Sequence, residues 1–203
     1  MKQRILFVCL GNICRSPAAE AMMQVLVERN GLTDSVTLDS AGTYGGHSGE
    51  RSDPRMRRAA EARGIPMTHR ARQVREEDFE RFDMIIAMDD SNYENLFRLA
   101  PNRDYHQKIY RFREFLRRHT EWSHIPDPYY EGHEGFELVL DLLEDGCSTL
   151  IEQLKSGVYF AYMSILRAST TTKEPFNSTS NKKVELFSRC RIALYFSTTN
   201  YRI

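Results

Sequence analysis

A cysteine and an arginine six positions apart, Cys9 and Arg15, have the residue types and spacing to bind and attack a phosphate group. The segment that they bound reads Cys-Leu-Gly-Asn-Ile-Cys-Arg. Backbone N–H groups of such a loop can point inward at one oxyanion, and an arginine can hold two of its oxygens. The same positive surroundings favour the thiolate form of the cysteine. A thiolate that faces a bound phosphate is placed for displacement at phosphorus.

The sequence on either side places this segment at a strand–loop–helix junction. The apolar run at residues 5–8 predicts a short buried strand, and residues 17–23 predict a helix with Ser16 as its N-cap. The alternative is that Cys9 is only a small buried apolar residue, which is the commoner role of free cysteine. None of the other cysteines has an arginine six positions later, and this favours the functional interpretation.

Asp127 is the candidate for a general acid, from which the displacement of an aryl alkoxide from phosphorus benefits. It lies between two prolines, so the sequence predicts a stiff loop. A plain Asp-Pro turn is the competing interpretation. The aromatic residues that follow, Tyr129 and Tyr130, would form a slot for an aromatic ring beside the acid, and they favour the catalytic interpretation.

Composition excludes several other classes of protein. The 203 residues include 28 basic and 28 acidic side chains, so bulk charge favours neither nucleic-acid nor membrane binding. The four cysteines lack the spacing of a zinc site or a disulfide framework, and we expect no metal and no cofactor. A nucleophilic cysteine needs a reducing compartment, and no signal peptide or membrane-length apolar run is evident. We therefore expect a cytoplasmic protein.

Short apolar runs alternate with helical patterns over most of the chain. Further strands are predicted at residues 36–39, 83–88 and 108–110, and helices at 53–64, 74–82, 91–99 and 134–155. This alternation is typical of an α/β fold with a parallel sheet and helices on both faces. Residues 156–203 depart from the pattern and contain a polar, low-complexity stretch. We expect one domain at 1–155 and a C-terminal extension at 156–203 that is poorly ordered or loosely docked.

The chain resembles the low-molecular-weight protein tyrosine phosphatases over about residues 1–155. The motifs that carry the resemblance lie at residues 8–17, 39–42, 53–55, 69–73, 88–92 and 127–130. The resemblance implies a four-stranded parallel sheet in a flavodoxin-like three-layer sandwich. It also implies hydrolysis of phosphotyrosine and small aryl phosphates through a phosphocysteine intermediate on Cys9, with Arg15 binding the phosphate and Asp127 acting as acid and then as base.

The same resemblance assigns supporting roles around these three residues. Asn12 would hold the loop in shape, with Ser40 and His69 as its partners, and Cys14 would form a reversible disulfide with Cys9 under peroxide. The residues expected to bind the substrate are Leu10, Gly11, Asn12, Ile13, Cys14, Ser16, Tyr44, His47, Tyr129 and Tyr130. Relatives often carry a large aromatic residue near Gly46, and its absence here leaves the substrate preference open.

Two other functions compete with phosphotyrosine hydrolysis. One is thioredoxin-linked arsenate reduction, which uses the same fold and loop but needs two further thiols, and no cysteine lies between Cys14 and Cys147. The other is a phosphate-binding or interaction module without catalysis, which the intact set of Cys9, Arg15 and Asp127 disfavours. The expected partner is a phosphotyrosine-containing protein, a tyrosine kinase being one candidate, with no nucleic acid and no membrane. We expect a monomer or a weak dimer.

Overall fold

The computed structural model describes residues 2–156, whose centre is a sheet of four parallel strands. The strands are β1 (Gln3–Cys9), β2 (Val36–Gly42), β3 (Met84–Ala87) and β4 (Ile109–Arg111), in the order β2-β1-β3-β4. Central β1 carries the apolar run that the sequence singles out, and its side chains from Ile5 to Val8 are fully buried. Parallel strands with both faces covered need this continuous apolar character.

Helices connect the strands and complete a three-layer α/β fold. They are α1 (Arg15–Arg29), α2 (Pro54–Ala62), α3 (Glu76–Arg81), α4 (Asp90–Leu99) and α5 (His133–Ser156), with short 3₁₀ helices at Arg103–Lys108, Phe112–Phe115 and Pro128–Tyr130. The predicted sheet with helices is therefore confirmed, and its strand order is that of a flavodoxin-like fold. The expectation for residues 156–203 lies, apart from Ser156, outside the described residues.

Alternate residues of each strand enter the two faces of the sheet. One face forms a cluster of buried apolar residues: Leu6, Val8, Ala41, Val74, Phe79, Phe82, Ile85, Ala87, Leu96 and Ile109. On β1 the intervening residue Phe7 packs against Phe112, with ring centroids 6.3 Å apart. A Cβ on Gly146 of α5 would lie 2.2 Å from the Phe112 ring, so the glycine lets this ring pack directly on the helix. The long α5 thereby covers the sheet near the strand that ends in Cys9.

The first helix begins earlier than the sequence predicts. Its N-cap is Cys14, which makes no side-chain capping bond, and Arg15 is its first residue. The prediction that Ser16 caps the helix is wrong, because the Ser16 hydroxyl turns toward Cys9 and Asn12. The predicted cap of α2 is confirmed: Asp53 accepts a 2.8 Å hydrogen bond from the Arg55 N–H, and proline follows it.

No helix within residues 2–156 combines the length and the apolar character needed to cross a bilayer.

Candidate active site

The loop after β1 curls around the sulfur of Cys9. The Asn12 N–H donates to Cys9 Sγ at 3.3 Å, and Ser16 Oγ lies 3.0 Å from the same sulfur. Asn12 has a φ of 55°, a left-handed conformation that asparagine tolerates better than most residues. This turn of the backbone directs the amide inward. The Cys9 thiol is buried at the end of a rigid central strand, so its position is fixed from both sides.

The side chain of Asn12 holds the loop from below with four hydrogen bonds. Its Nδ2 donates to Ser16 Oγ and to Ser40 Oγ, both at 2.9 Å. Its Oδ1 accepts from His69 Nε2 at 2.8 Å and from the Arg72 backbone N–H at 2.9 Å. All four bonds of the amide are thus made inside the protein, where an unmade one would cost about 1–3 kcal/mol. The network stabilises the left-handed turn.

A second set of polar groups supports these partners. Ser40 Oγ donates to Glu20 Oε2 at 2.7 Å, and His69 Nδ1 lies 3.0 Å from the same oxygen. Arg72 is paired with Asp39 and Asp78 at 2.9 and 2.8 Å. Ligand atoms of Glu20, Asp39 and His69 lie close enough to share a cation, but each group already has a protein partner. The cluster therefore needs no metal to be satisfied.

Arg15 is buried and bound on two sides by carboxylates. One Nη donates to Asp89 Oδ2 at 2.6 Å and to the Ile125 carbonyl at 3.2 Å, and the other donates to Asp127 Oδ2 at 2.6 Å. Burial alone would lower the pKa of Arg15, but the nearby charges of Cys9, Asp127 and Asp89 outweigh it and raise that pKa. The guanidinium is a permanent cation beside the Cys9 sulfur.

Asp127 caps the 3₁₀ helix Pro128–Tyr130 and faces Arg15 at the same time. Its Oδ1 accepts from the Tyr129 N–H at 3.2 Å, while Oδ2 pairs with Arg15. Asp127 therefore fits both interpretations of the sequence: it forms an Asp-Pro turn, and it lies beside Arg15 where the predicted acid would stand. The Asp127 side chain is 40% exposed, so it can exchange protons with water.

A cavity of about 230 Å³ joins these groups. Its walls include two pairs of aromatic rings in edge-to-face contact, Tyr129 with Tyr130 at 5.0 Å and Tyr44 with His47 at 6.2 Å between centroids. The residues that line it are Cys9, Leu10, Gly11, Ile13, Cys14, Arg15, Tyr44, His47, Asp127, Tyr129 and Tyr130. The lining combines the Arg15 guanidinium with an aromatic rim, which suits an aryl phosphate.

The cavity wall brings together most of the side chains predicted to bind the substrate. Asn12 and Ser16 are the exceptions, because both are fully buried beneath the loop and do not line the cavity. Tyr44 folds over Gly46, where a Cβ would lie 2.3 Å from its ring. Gly46 thus makes room for the ring of Tyr44.

Sequence reasoning missed Asp89, although a signal for it existed. Asp89 lies two residues after the end of β3, at the same sheet edge as Cys9, where a parallel sheet collects its functional loops. It also missed Arg55, which contacts the ring of Tyr129 from outside the cavity. Cys14 does line the cavity, and burial, with a smaller effect of the Asp53 charge, raises the pKa of its thiol.

Comparison with known proteins identifies the family. The family model for low molecular weight phosphotyrosine protein phosphatases matches residues 4–159. A human protein of that name is 39% identical over 152 residues, covering 73% of this chain and 94% of its own. A low molecular weight protein-tyrosine-phosphatase of Streptomyces coelicolor is 39% identical over 159 residues, covering 78% and 97%. The crystal structure of an Entamoeba histolytica protein tyrosine phosphatase with Hepes in the active site superimposes with a TM-score of 0.74 at 44% identity, covering 77% and 99%. The chain belongs to the low molecular weight phosphotyrosine protein phosphatase family.

Proposed function

We propose that this protein tyrosine phosphatase works through Cys9, Arg15 and Asp127, which line one cavity. That shared cavity is the observation that carries the assignment. Cys9 Sγ attacks phosphorus, the phosphorus–oxygen bond to the tyrosine breaks, and Asp127 gives its proton to the departing oxygen. Asp127, now a carboxylate, takes a proton from the water that attacks the phosphocysteine. Inorganic phosphate leaves, and the Cys9 thiolate is restored.

Arg15 and the loop supply the electrostatic part of this reaction. The guanidinium would hold two phosphate oxygens as charge moves to the equatorial oxygens, together with inward N–H groups of the loop. Ser16 supports the sulfur: its hydroxyl has one hydrogen, which can go to Cys9 Sγ at 3.0 Å or to the Ala41 carbonyl at 3.2 Å. A thiolate is the stronger acceptor, so this hydrogen favours the sulfur once Cys9 ionises.

The arsenate-reductase alternative has less support. Its relay needs two further thiols that can reach Cys9. Besides Cys9, the described residues include the thiols of Cys14 and Cys147, and Cys147 is fully buried in α5 with its thiol against the Ala19 carbonyl. The alternative of a module without catalysis has to explain why a cysteine, an arginine and an acid share one cavity. Neither alternative accounts for the aromatic rim, which matches a phenyl ring.

One set of assays separates the three functions. We expect hydrolysis of a phosphotyrosine peptide by the parent, loss of turnover in Cys9→Ser, and radioactive phosphate on the parent protein after an acid quench. Cys147→Ser serves as the matched control and should keep its activity and its label. Arsenate turnover that depends on thioredoxin, with no phosphate ester cleaved, would replace this function by the reductase. If neither activity is found, the module without catalysis remains.

We further propose a phosphotyrosine-bearing protein as the physiological partner, with a tyrosine kinase as one candidate. The cavity opens through an exposed rim of Leu10, Tyr44, Tyr129 and Tyr130, which a folded substrate can approach. We propose that the protein is a monomer or a weak dimer in the cytoplasm, where Cys9 would stay reduced. We also propose that residues 1–155 form the catalytic domain and that residues 156–203 form an extension. Trapping of cell proteins on Cys9→Ser, with Cys9→Ser/Arg15→Ala as control, would identify the substrate.

A further inference from the structure

The start of α2 contacts both halves of the active site. The Asp53 N–H donates to the Ile13 carbonyl of the phosphate loop at 2.8 Å. The Asp53 carboxylate then holds the side chain of Arg55 in two places, Nε to Oδ1 at 3.1 Å and Nη2 to Oδ2 at 2.8 Å. A bidentate pair of this kind fixes the plane of the guanidinium as well as its position. Arg55 is therefore connected to the loop after β1 through Asp53.

The fixed guanidinium lies against two aromatic rings. Its central carbon is 5.3 Å from the centroid of the Tyr129 ring and 4.9 Å from that of Phe136. Phe136 is buried in α5, so it gives this stack a rigid base. Tyr129 lines the substrate cavity, whereas Arg55 does not. Arg55 instead lines a separate groove, together with residues such as Arg58 and Glu131. The guanidinium thus supports the outer side of a cavity wall.

We propose that Arg55 is a positioning residue for the recognition of the substrate's aromatic ring, and that it acts by holding the Tyr129 ring against the cavity. This inference rests on the proposed function only for the identity of the substrate. Arginine suits the task because its planar group can stack on a ring while its edge binds a carboxylate. A lysine would keep the charge but would lose both the plane and the bidentate bond to Asp53. Substitution of Arg55 should therefore weaken binding of the substrate's ring and leave binding of its phosphate unchanged.

Binding of two non-hydrolysable ligands tests this without any need for turnover. Phenylphosphonate carries the ring and methylphosphonate does not, so the ratio of their dissociation constants reports the preference for a ring. We expect Arg55→Ala and Arg55→Lys each to reduce this preference about threefold to tenfold. An effect of this size corresponds to the loss of the one cation–π contact that holds the Tyr129 ring in place. Arg58→Ala, on the same helix face one turn later, is the matched control and should leave the ratio unchanged.

A double-mutant cycle with Tyr129→Ala shows whether the effect passes through that ring. In the Tyr129→Ala background, Arg55→Ala should cause no further loss of ring preference. The kinetic counterpart is a higher KM for a phosphotyrosine peptide at an unchanged kcat. Thermal unfolding of each variant shows that it is folded, and the milder Arg55→Lys substitution preserves the test if Arg55→Ala is unstable.

Several outcomes would overturn the inference. It is wrong if methylphosphonate affinity falls as much as phenylphosphonate affinity, since Arg55 would then act on the loop or the phosphate. Rescue by lysine would mean that charge alone matters, and an undiminished effect in the Tyr129→Ala background would mean another route. The inference is also wrong if the parent binds phenylphosphonate no better than methylphosphonate, because the Tyr129 ring would then contribute nothing for Arg55 to support. Absence of phosphotyrosine hydrolysis would instead count against the proposed function, because the phosphonate ratio does not depend on turnover.

Discussion

The Nη2 atom of Arg15 lies 2.6 Å from Oδ2 of Asp127, so the proposed phosphate-binding residue and the proposed acid are paired with each other. A phosphate that enters the cavity must compete with this carboxylate for the guanidinium. When Arg15 turns to the phosphate, Asp127 loses its cationic partner beside a new anion. Substrate binding and release of the Asp127 carboxyl group from Arg15 are thereby coupled.

Substitution of Asp127 by asparagine should therefore have opposite effects on binding and on turnover. Without the competing carboxylate, inorganic phosphate should inhibit Asp127→Asn about threefold to tenfold more tightly than the parent, because one unit of repulsion is removed. The kcat for phosphotyrosine should fall about a hundredfold, as for loss of a general acid. An aryl phosphate with a good leaving group should be affected much less. Equal slowing of both substrates would mean that the acid is misassigned.

Asp89 holds the other side of Arg15, and its charge can be removed without loss of its structural role. Asp89 Oδ1 caps α4 by accepting from the Asn92 N–H at 2.7 Å, a bond that asparagine can also make. We expect Asp89→Asn to lower kcat/KM about tenfold, because a hydrogen bond to a charged group contributes about 1.5–3 kcal/mol. The neighbouring Asp90→Asn, which instead loses a surface pair with Arg111, is the control. A gain in phosphate affinity without a loss of turnover would show that Asp89 does not orient Arg15.

Cys14 lines the same cavity as Cys9 and is expected to protect it from oxidation. Burial raises the pKa of the Cys14 thiol and keeps that sulfur protonated, so we expect peroxide to oxidise Cys9 first, to a sulfenic acid. The Cys14 thiol can then displace water from that group and form a disulfide, which a dithiol reduces. After peroxide and dithiothreitol, Cys14→Ser should recover a smaller fraction of its activity than the parent or Cys147→Ser. Equal recovery of all three would contradict the protective role.

Asp145, a residue outside the active site, makes the stability of the fold depend on pH in the acid range. Its Oδ2 accepts the backbone N–H groups of Arg117, Arg118 and His119 at 3.0, 2.9 and 3.1 Å. Burial would raise the pKa of Asp145, but these donors outweigh it and hold that pKa below its ordinary value. A carboxyl whose pKa is lower in the folded state stabilises the fold at pH values above the unfolded pKa of about 4. That stabilisation is lost as the pH falls through the folded pKa.

Denaturant unfolding as a function of pH measures this contribution. At neutral pH, Asp145→Asn should lower the free energy of unfolding by about 1–2 kcal/mol, since the three donors then bind a neutral oxygen. The difference from the parent should shrink as the pH falls through the folded-state pKa of Asp145, where the carboxyl group itself becomes protonated. The exposed Asp34→Asn is the control for a general effect of charge. A gap of constant size at every pH would mean that ionisation of Asp145 is not the cause.

The sequence predicted the elements that carry strong local signals. Cys9 follows an apolar run that only a buried strand explains, and Asp53 with Pro54 marks the start of a helix. Ser16 shows where local rules fail: the best capping residue of the segment is used by Cys9 and Asn12 instead, because the loop needs its hydroxyl inside. Propensity does not register such a tertiary demand.

Partners that are far apart in the sequence could not be predicted from local patterns. Asp89 reaches Arg15 across 74 residues, and Ile125 reaches it across 110. The Arg55 contact with Tyr129 joins α2 to the 3₁₀ helix Pro128–Tyr130, which comes after all four strands in the sequence. These contacts depend on how strands and loops are ordered in space, which no periodicity or cap encodes. The identity of the chemistry could be predicted from one segment, whereas the support of that chemistry could not.

The position of β1 between β2 and β3 also has a consequence for biosynthesis. Cys9 ends β1, yet one side of that strand stays unpaired until Met84–Ala87 has been synthesised. Asp127, the proposed acid, is translated later still, after all four strands. A nascent chain that stops before Asp127 would therefore carry Cys9 without the proposed acid.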